Sequence, residues 1–207
     1  MESEKLKVKS EKWSRKQNLR FAIIAAVIAV VAVAVDLITK SVFDKLLVVS
    51  ESVIDGQRKI TSSKTLPFLG NYITFNFTLN YGASFGMFQG QNGLFFALTL
   101  LGIPLFGLFA WFSRKESLLG AYGIALVLGG IIGNAADRAF LGSGFFNGGV
   151  RDFVAVNALV LSPYVCNFAD ICINVGVAIY IIGMLFVGKG AIFRKKKKPD
   201  EPAGDRE

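Results

Sequence analysis

The chain has 207 residues, of which 53% are hydrophobic and only 18% charged, and its formal net charge is +8. With a mean hydropathy of +0.50, this composition is far from that of a soluble domain and typical of a membrane protein. The positive charge does not indicate nucleic acid, because lysine and arginine are concentrated at the two ends of the chain, as in proteins that meet anionic lipid headgroups. The absence of histidine excludes HExxH zinc peptidases and every nucleophile that needs a histidine base.

The N-terminal part of the chain predicts a basic tail followed by a membrane helix. Residues 1–20 are polar and basic without apolar periodicity, so we expect a flexible cytoplasmic tail. The apolar run from Phe21 to Phe43 is long enough to span a bilayer, and no cleavage site of small residues follows that would mark a secretory signal. Asp36 and Lys40 are four residues apart and share a face of this helix. They either form a structural pair or help to orient a substrate.

The segment from about 44 to 92 is the least hydrophobic internal stretch. Alternation of apolar and polar residues from Tyr72 to Leu79 indicates short strands, so we expect a small β element outside the membrane. The small residues between Asn80 and Gly86 would let the backbone approach a neighbour or a ligand closely.

Three further apolar runs predict three more membrane helices, over Gly93–Phe112, about Leu118–Ala136 and about Val165–Val187. Gly129 and Gly133 form a face of small residues on the third helix, which favours close packing on another helix. We expect a glycine-rich loop around Asp152 between the third and fourth helices. Residues 189–207 form a second basic tail.

The basic residues also predict the topology. Lysine and arginine before the first helix, after the fourth helix and at Arg114-Lys115 place both termini and the turn between helices two and three in the cytoplasm. One set of polar residues then falls at the outer end of the bundle, namely Asp36, Asn80, Asn134, Asp137, Arg138, Asp152, Asn167 and Asp170. Polar groups gathered at one depth of a membrane protein indicate a functional site.

Asp152 and Asp170 are 18 residues apart (170 − 152) and lie where one span ends and the next begins. Two carboxylates held close in a partly dry environment do not both ionise, so the pair shares a proton. One can then activate water while the other polarises a carbonyl and protonates the leaving amine, without a metal. The same residues leave open an ion-binding or transport role, or mere pairing with Arg138 and Arg151. A serine and lysine peptidase is disfavoured, because adjacent residues such as Lys40 and Ser41 do not face each other on a helix.

Five ordered blocks carry a resemblance to a known family. The segments Gly129 to Arg138 (GGIIGNAADR), Val150 to Phe153 (VRDF) and Asn167 to Asp170 (NFAD) resemble the signature blocks of the lipoprotein signal peptidases, the type II signal peptidases of bacteria. Asp36 with Lys40, and the segment 80–85, are similar to two further blocks in the same order, so the match spans about residues 20 to 188. The departures are Leu37, Ser84 and Cys166, where the family usually has Gln, Ala and Phe; they bear on packing or inhibitor contacts more than on catalysis.

The resemblance implies an all-α integral membrane protein, with four transmembrane helices in a peptidase domain over 21–188 and a small extracytoplasmic β element. The implied activity is an aspartyl endopeptidase that removes the signal peptide from diacylglyceryl-modified prolipoproteins, cutting just before the lipid-modified cysteine. Its partners would be that substrate and the membrane lipids, with no nucleic acid, cofactor or metal, and it would act as a monomer. The implied location is the bacterial inner membrane, with both termini cytoplasmic and the active site near the outer leaflet.

The resemblance also assigns roles to residues at the matching positions. Asp152 and Asp170 would be the catalytic pair. The residues expected to line and orient the site are Asn80, Asn134, Arg138 and Asn167. The residues expected to support it are Asp36, Lys40, Asp137 and Gly133.

Overall fold

Four long helices and two small antiparallel sheets make up the part of the chain that the computed structural model describes, which is residues 13–82, 91–142, 147–157, 164–189 and 191. The helices are α1 (Arg15–Leu47), α2 (Asn92–Ser113), α3 (Leu118–Phe140) and α4 (Phe168–Ile182), and α4 continues as a π-helical turn over Gly183–Val187. The strands are β1 (Val48–Ile54), β2 (Gln57–Ser63), β3 (Thr65–Leu69), β4 (Ile73–Asn80), β5 (Val150–Val156) and β6 (Tyr164–Cys166).

All four helices are long and apolar enough to cross a membrane, as the sequence predicts. The first begins earlier than expected, at Arg15 rather than Phe21. Its start is set by a capping box, in which the Ser14 hydroxyl accepts from the Gln17 N–H and the Gln17 side chain accepts from the Ser14 N–H. Residues 15–20 of the predicted tail are therefore helical, whereas most of the remainder of both tails lies outside the described residues.

Helix α3 is the central helix and packs against the other three. Glycines allow this close approach. A Cβ added at Gly129 would lie 2.6 Å from the Cβ of Ala32 on α1, and one added at Gly123 would lie 2.6 Å from the carbonyl oxygen of Gly176 on α4. The predicted small-residue face at Gly129 and Gly133 is thus confirmed, with α1 as its partner.

The expected all-α class is too narrow, because two sheets stand beside the helices. Strands β1 and β2 form a hairpin, and the order β3-β4-β5-β6 makes an antiparallel four-stranded sheet. The predicted strands between residues 44 and 92 are present, but Asp152 lies on β5 rather than in a loop, and Val165 lies on β6 rather than in the fourth helix. Strand β5 is buried on both faces for most of its length, so its sequence VRDFVAV lacks the plain alternation that marks a half-exposed strand.

The four-stranded sheet packs on the last turns of α1 through aromatic contacts. The ring of Phe43 stacks on Phe153 of β5, with a centroid distance of 4.3 Å, and lies 4.7 Å from the ring of Phe75 on β4. Leu47 is fully buried in the same cluster. This packing fixes β5, and with it Asp152, against the end of α1.

The two ends of the bundle carry different parts of the chain. At one end the Arg114 guanidinium, in the turn between α2 and α3, donates to Asn18 Oδ1 near the start of α1 at 3.0 and 3.3 Å. The N–H of Lys189, after α4, donates to the carbonyl of Glu116 at 2.8 Å. The ends of α1 and α3 and the start of α4 therefore meet at the opposite end, together with the sheets.

Candidate active site

Asn167 connects the two carboxylates of the predicted catalytic pair. Its side-chain Nδ2 donates to Asp152 Oδ1 at 2.6 Å, and its backbone N–H donates to Asp170 Oδ2 at 3.1 Å. Asp152 on β5 is only 3% exposed, and Asp170 in the first turn of α4 is partly buried. The structure thus joins, through one residue, two acids that lie 18 residues apart in the sequence and on different elements.

The local fold around Asp170 follows from helix capping. Asn167 is the N-cap of α4, and its Oδ1 accepts from the Asp170 N–H at 3.0 Å while Asp170 Oδ2 accepts from the Asn167 N–H. This reciprocal capping box satisfies two backbone donors that the helix leaves unpaired, and the start of a helix favours a negative charge. The spacing of Asn167 and Asp170 therefore places a carboxylate at a fixed orientation at the end of the bundle.

Two further amides complete the contacts of the acids. Asn134 on α3 donates from Nδ2 to Asp170 Oδ1 at 2.9 Å, and Asn80 donates from Nδ2 to Asp152 Oδ2 at 3.3 Å. The oxygen of Asn134 accepts from Lys40 Nζ at 2.8 Å. Because an ammonium group has only donors, this contact turns the amide nitrogen of Asn134 towards Asp170.

Arg138 lies near the acids without bonding to either of them. Its guanidinium donates to the carbonyl oxygens of Gly82 at 3.1 Å and Asn134 at 3.5 Å, and among the described residues its buried Nε has no partner. It interacts electrostatically with Asp152 and Asp170. Within the described part of the chain neither acid forms a salt bridge, so simple ion pairing does not explain why the two carboxylates lie together.

Four charged residues form a buried cluster behind the acids. Lys40 Nζ lies 2.7 Å from Asp36 Oδ2 and 3.4 Å from Asp137 Oδ2, and Arg151 Nη2 lies 2.7 Å from Asp137 Oδ1. All four are at most 7% exposed. Two acids and two bases leave the cluster neutral, as a buried charged group requires.

The sequence indicates Arg151 only as an ionic partner for Asp152 or Asp170, and it gives no sign that this residue joins the cluster. Side chains of adjacent residues in a strand point to opposite faces, so Arg151 points away from the side chain of Asp152. It bonds to Asp137 through its backbone N–H, Nε and Nη2, and to the Ser41 hydroxyl through Nη1. A strand over Val150–Val156 predicts this orientation of Arg151, but not its contact with Asp137.

Gly133 leaves room for Asp36 of the cluster to contact the start of α4. A Cβ at this position would overlap the carboxylate of Asp36, so only glycine lets α1 and α3 come this close. Asp36 Oδ1 in turn accepts from the Ala169 N–H at 2.9 Å, at the start of α4. Asp36 therefore connects the first helix to the segment that carries Asp170.

Burial, followed by the negative charge of the neighbouring Asp170, raises the pKa of Asp152 to about 7. Hydrogen bonds from Asn167 and Asn80 lower it in part. An acid of this kind keeps a proton close to neutral pH, beside a second carboxyl group that can accept one. The pair can therefore supply an acid and a base at the same time.

Four helices that can span a membrane, with one buried and one partly buried carboxyl group joined at one end, fit the class of membrane-embedded aspartic peptidases. A family model for signal peptidase (SPase) II matches residues 28–186. A lipoprotein signal peptidase of Leifsonia xyli is 30% identical over 190 residues, covering 91% of this chain and 78% of that protein. One of Teredinibacter turnerae is 33% identical over 177 residues, covering 82% and 92%.

A solved bacterial membrane enzyme, determined by the in meso method at 2.3 Å, shares the fold with a TM-score of 0.64 at 23% identity, covering 84% of this chain and 93% of its own. The chain belongs to the signal peptidase II family, the aspartic-type family that the sequence predicted.

Proposed function

We propose that this protein removes the signal peptide from diacylglyceryl-modified bacterial prolipoproteins, cutting just before the lipid-modified cysteine. The observation that carries the proposal is the pair of carboxylates joined by Asn167, with Asp152 at 2.6 Å from its amide and Asp170 at 3.1 Å from its backbone N–H. The names of the relatives supply the substrate class. We also propose action as a monomer, since the contacts that join Asp152, Asp170 and Asn167 are all made within a single chain.

In the proposed mechanism Asp152 holds the proton of the pair at rest, because it is the more buried acid and its pKa is raised. Asp170 accepts a proton from water as the water oxygen attacks the scissile carbonyl carbon. Asp152 donates its proton to the carbonyl oxygen. Collapse of the tetrahedral intermediate returns the hydroxyl proton to Asp152, breaks the C–N bond and moves the proton on Asp170 to the leaving amine.

The other polar residues are given positioning roles. Asn134 and Asn167 hold the acids, and Asn80 presents an amide beside Asp152 where the substrate backbone would pass. Arg138 holds the chain at Gly82 and keeps a positive charge near the acids, where it would stabilise the ionised carboxylate. Asp36, Lys40, Asp137 and Gly133 support these contacts from behind.

The proposed mechanism predicts a pH dependence with a known sign. Asp152 loses its proton as the pH rises through about 7, so kcat/KM should fall about tenfold per pH unit well above this value. A rate profile of cleavage in detergent tests this, and a rate that does not change from neutral to strongly basic pH would contradict the shared proton.

We also propose that both termini are cytoplasmic and that the site lies near the outer leaflet of the inner membrane. The distribution of Lys and Arg supports this orientation, and the fold puts the N-terminus of α1 and the C-terminal end of α4 at the end opposite to the acids. In spheroplasts a membrane-impermeant maleimide should label Val53→Cys, on the exposed hairpin, but not Lys115→Cys. The parent protein is the control, because Cys166 and Cys172 are buried. Labelling of Lys115→Cys but not of Val53→Cys would mean that the protein has the opposite orientation.

A further inference from the structure

A cavity of about 540 Å³ lies between β2 and β4, outside the spanning helices. Its walls are residues 57–60 of β2 together with Thr78, Leu79 and Tyr81. Some of these residues are polar and others are apolar, whereas the outer surfaces of the helices are mainly apolar. The motifs of the family do not cover the β1-β2 hairpin, and the proposed mechanism gives this cavity no role.

The cavity begins one strand away from the active site. Thr78 is the partner of Asp152 across the antiparallel ladder of β4 and β5, and neighbouring strands are about 4.8 Å apart. Two residues further along, Asn80 donates to Asp152. Tyr81 then donates its hydroxyl to the carbonyl oxygen of Arg58. The hairpin that walls the cavity is therefore bonded to the segment that contacts the predicted catalytic acid.

Two cationic side chains line the cavity, Arg58 and Lys59, and they differ in whether a carboxylate is bound to them. Arg58 is occupied, since its Nη1 and Nη2 each lie 2.7 Å from the Asp44 carboxylate and it also bonds to Glu51. Lys59 is exposed and forms no salt bridge with any described residue. The positive charge available to a ligand in this cavity is therefore that of Lys59.

We propose that this cavity is a subsite for the mature part of the substrate, the polypeptide that follows the lipid-modified cysteine, and that Lys59 makes it favour an acidic side chain. The proposal rests on the proposed function. A prolipoprotein chain crosses the site with its apolar signal peptide in the membrane, so the chain after the cut must leave on the side of the sheets. The cavity lies there, within reach of a few extended residues at about 3.3 Å each.

The test compares diacylglyceryl-modified peptides that end one residue after the cysteine with peptides that continue for about six residues, since these would span about 20 Å. The long peptides carry either Glu or Lys in the added part. The readout is the ratio of KM for the short peptide to KM for the long one.

Three variants of the hairpin complete the test. Gln57→Trp fills the cavity and Lys59→Glu reverses its charge. Val53→Trp, on the exposed face of the same hairpin, is the matched control. Ile60 is kept because it packs against the core.

We expect a several-fold lower KM for the long acidic peptide in the parent protein and in Val53→Trp. In Gln57→Trp the long and short peptides should have similar KM values, and Lys59→Glu should have its lower KM for the basic peptide. The subsite is refuted if KM in the parent protein does not fall with peptide length. It is also refuted if both cavity variants keep the lower KM for the long peptide and the preference for Glu. Failure of the parent protein to cleave even the short peptide would instead contradict the proposed function, and this proposal with it.

Discussion

Replacing either acid of the pair with asparagine, as Asp152→Asn or Asp170→Asn, is expected to lower the rate of prolipoprotein cleavage by about 10³-fold or more. General acid and base catalysis by a positioned side chain contributes about 10² to 10⁴, and both steps depend on the same shared proton. Purified variants should be compared by their initial rates on a diacylglyceryl-modified peptide. Asp55→Asn is the matched control, because Asp55 lies in the β1-β2 turn and asparagine tolerates its φ of 52°.

The same variants separate catalysis from folding. The carboxyl of Asp152 ionises near the ordinary value of 3.8 in the unfolded chain but only at about 7 in the folded protein, so the free energy of unfolding falls as the pH rises through this window and stays lower above it. Asp152→Asn removes this penalty and should keep or raise the Tm at neutral pH and above. Asp170→Asn replaces with a donor one of the two oxygens that accept from the Asn167 N–H and from Asn134 Nδ2, which should lower stability by about 1 kcal/mol. Retention of cleavage by both variants would contradict the aspartyl mechanism.

The second large effect is expected on stability, at the buried cluster of Asp36, Lys40, Asp137 and Arg151. Arg151→Met leaves the cluster with a net negative charge, and Asp137→Asn leaves it with a net positive charge. Because both side chains are at most 7% exposed, each single substitution should destabilise the protein by about 3 to 5 kcal/mol. Unfolding in mixed micelles as a function of denaturing detergent measures the difference.

The double variant provides the control for this prediction. Asp137→Asn combined with Arg151→Met restores a neutral cluster in which Asp36 and Lys40 still pair at 2.7 Å. Its loss of stability should be smaller than the sum of the single losses by about 1 kcal/mol or more. Additive losses would mean that the two residues act independently and that charge balance is not what holds β5 to α3.

The spans and the candidate site could be predicted from the sequence because both depend on strong local signals. In a bilayer the backbone of a long apolar run must satisfy its own hydrogen bonds, so each run over about 20 residues becomes a helix. Charged and amide side chains are too unfavourable in lipid to be scattered at random, so their depth in each run predicts where they meet. Asn134 and Asn167, which are 33 residues apart, are both predicted at one end of the bundle, and their side chains meet at 3.0 Å.

The strands around Asp152 could not be predicted because their signal is not local. Strand β5 is defined by its register with β4 and β6, for example Val154 opposite Cys166, and such pairings depend on the whole fold. For this reason the sequence offers Arg151 as a partner of the two acids, whereas the strand turns it towards Asp137. The early start of α1 could not be predicted either, because the capping box at Ser14 lies within a polar segment that has no apolar periodicity.

Cleavage of a diacylglyceryl-modified peptide by the purified protein in detergent, with and without a metal chelator, tests the central claim most directly. The predicted result is a single cut immediately before the modified cysteine, located by mass spectrometry, at a rate that the chelator does not change. A folded protein that leaves this peptide intact, or that cuts it only without the chelator, would contradict the assignment of Asp152 and Asp170 as a metal-independent aspartyl pair.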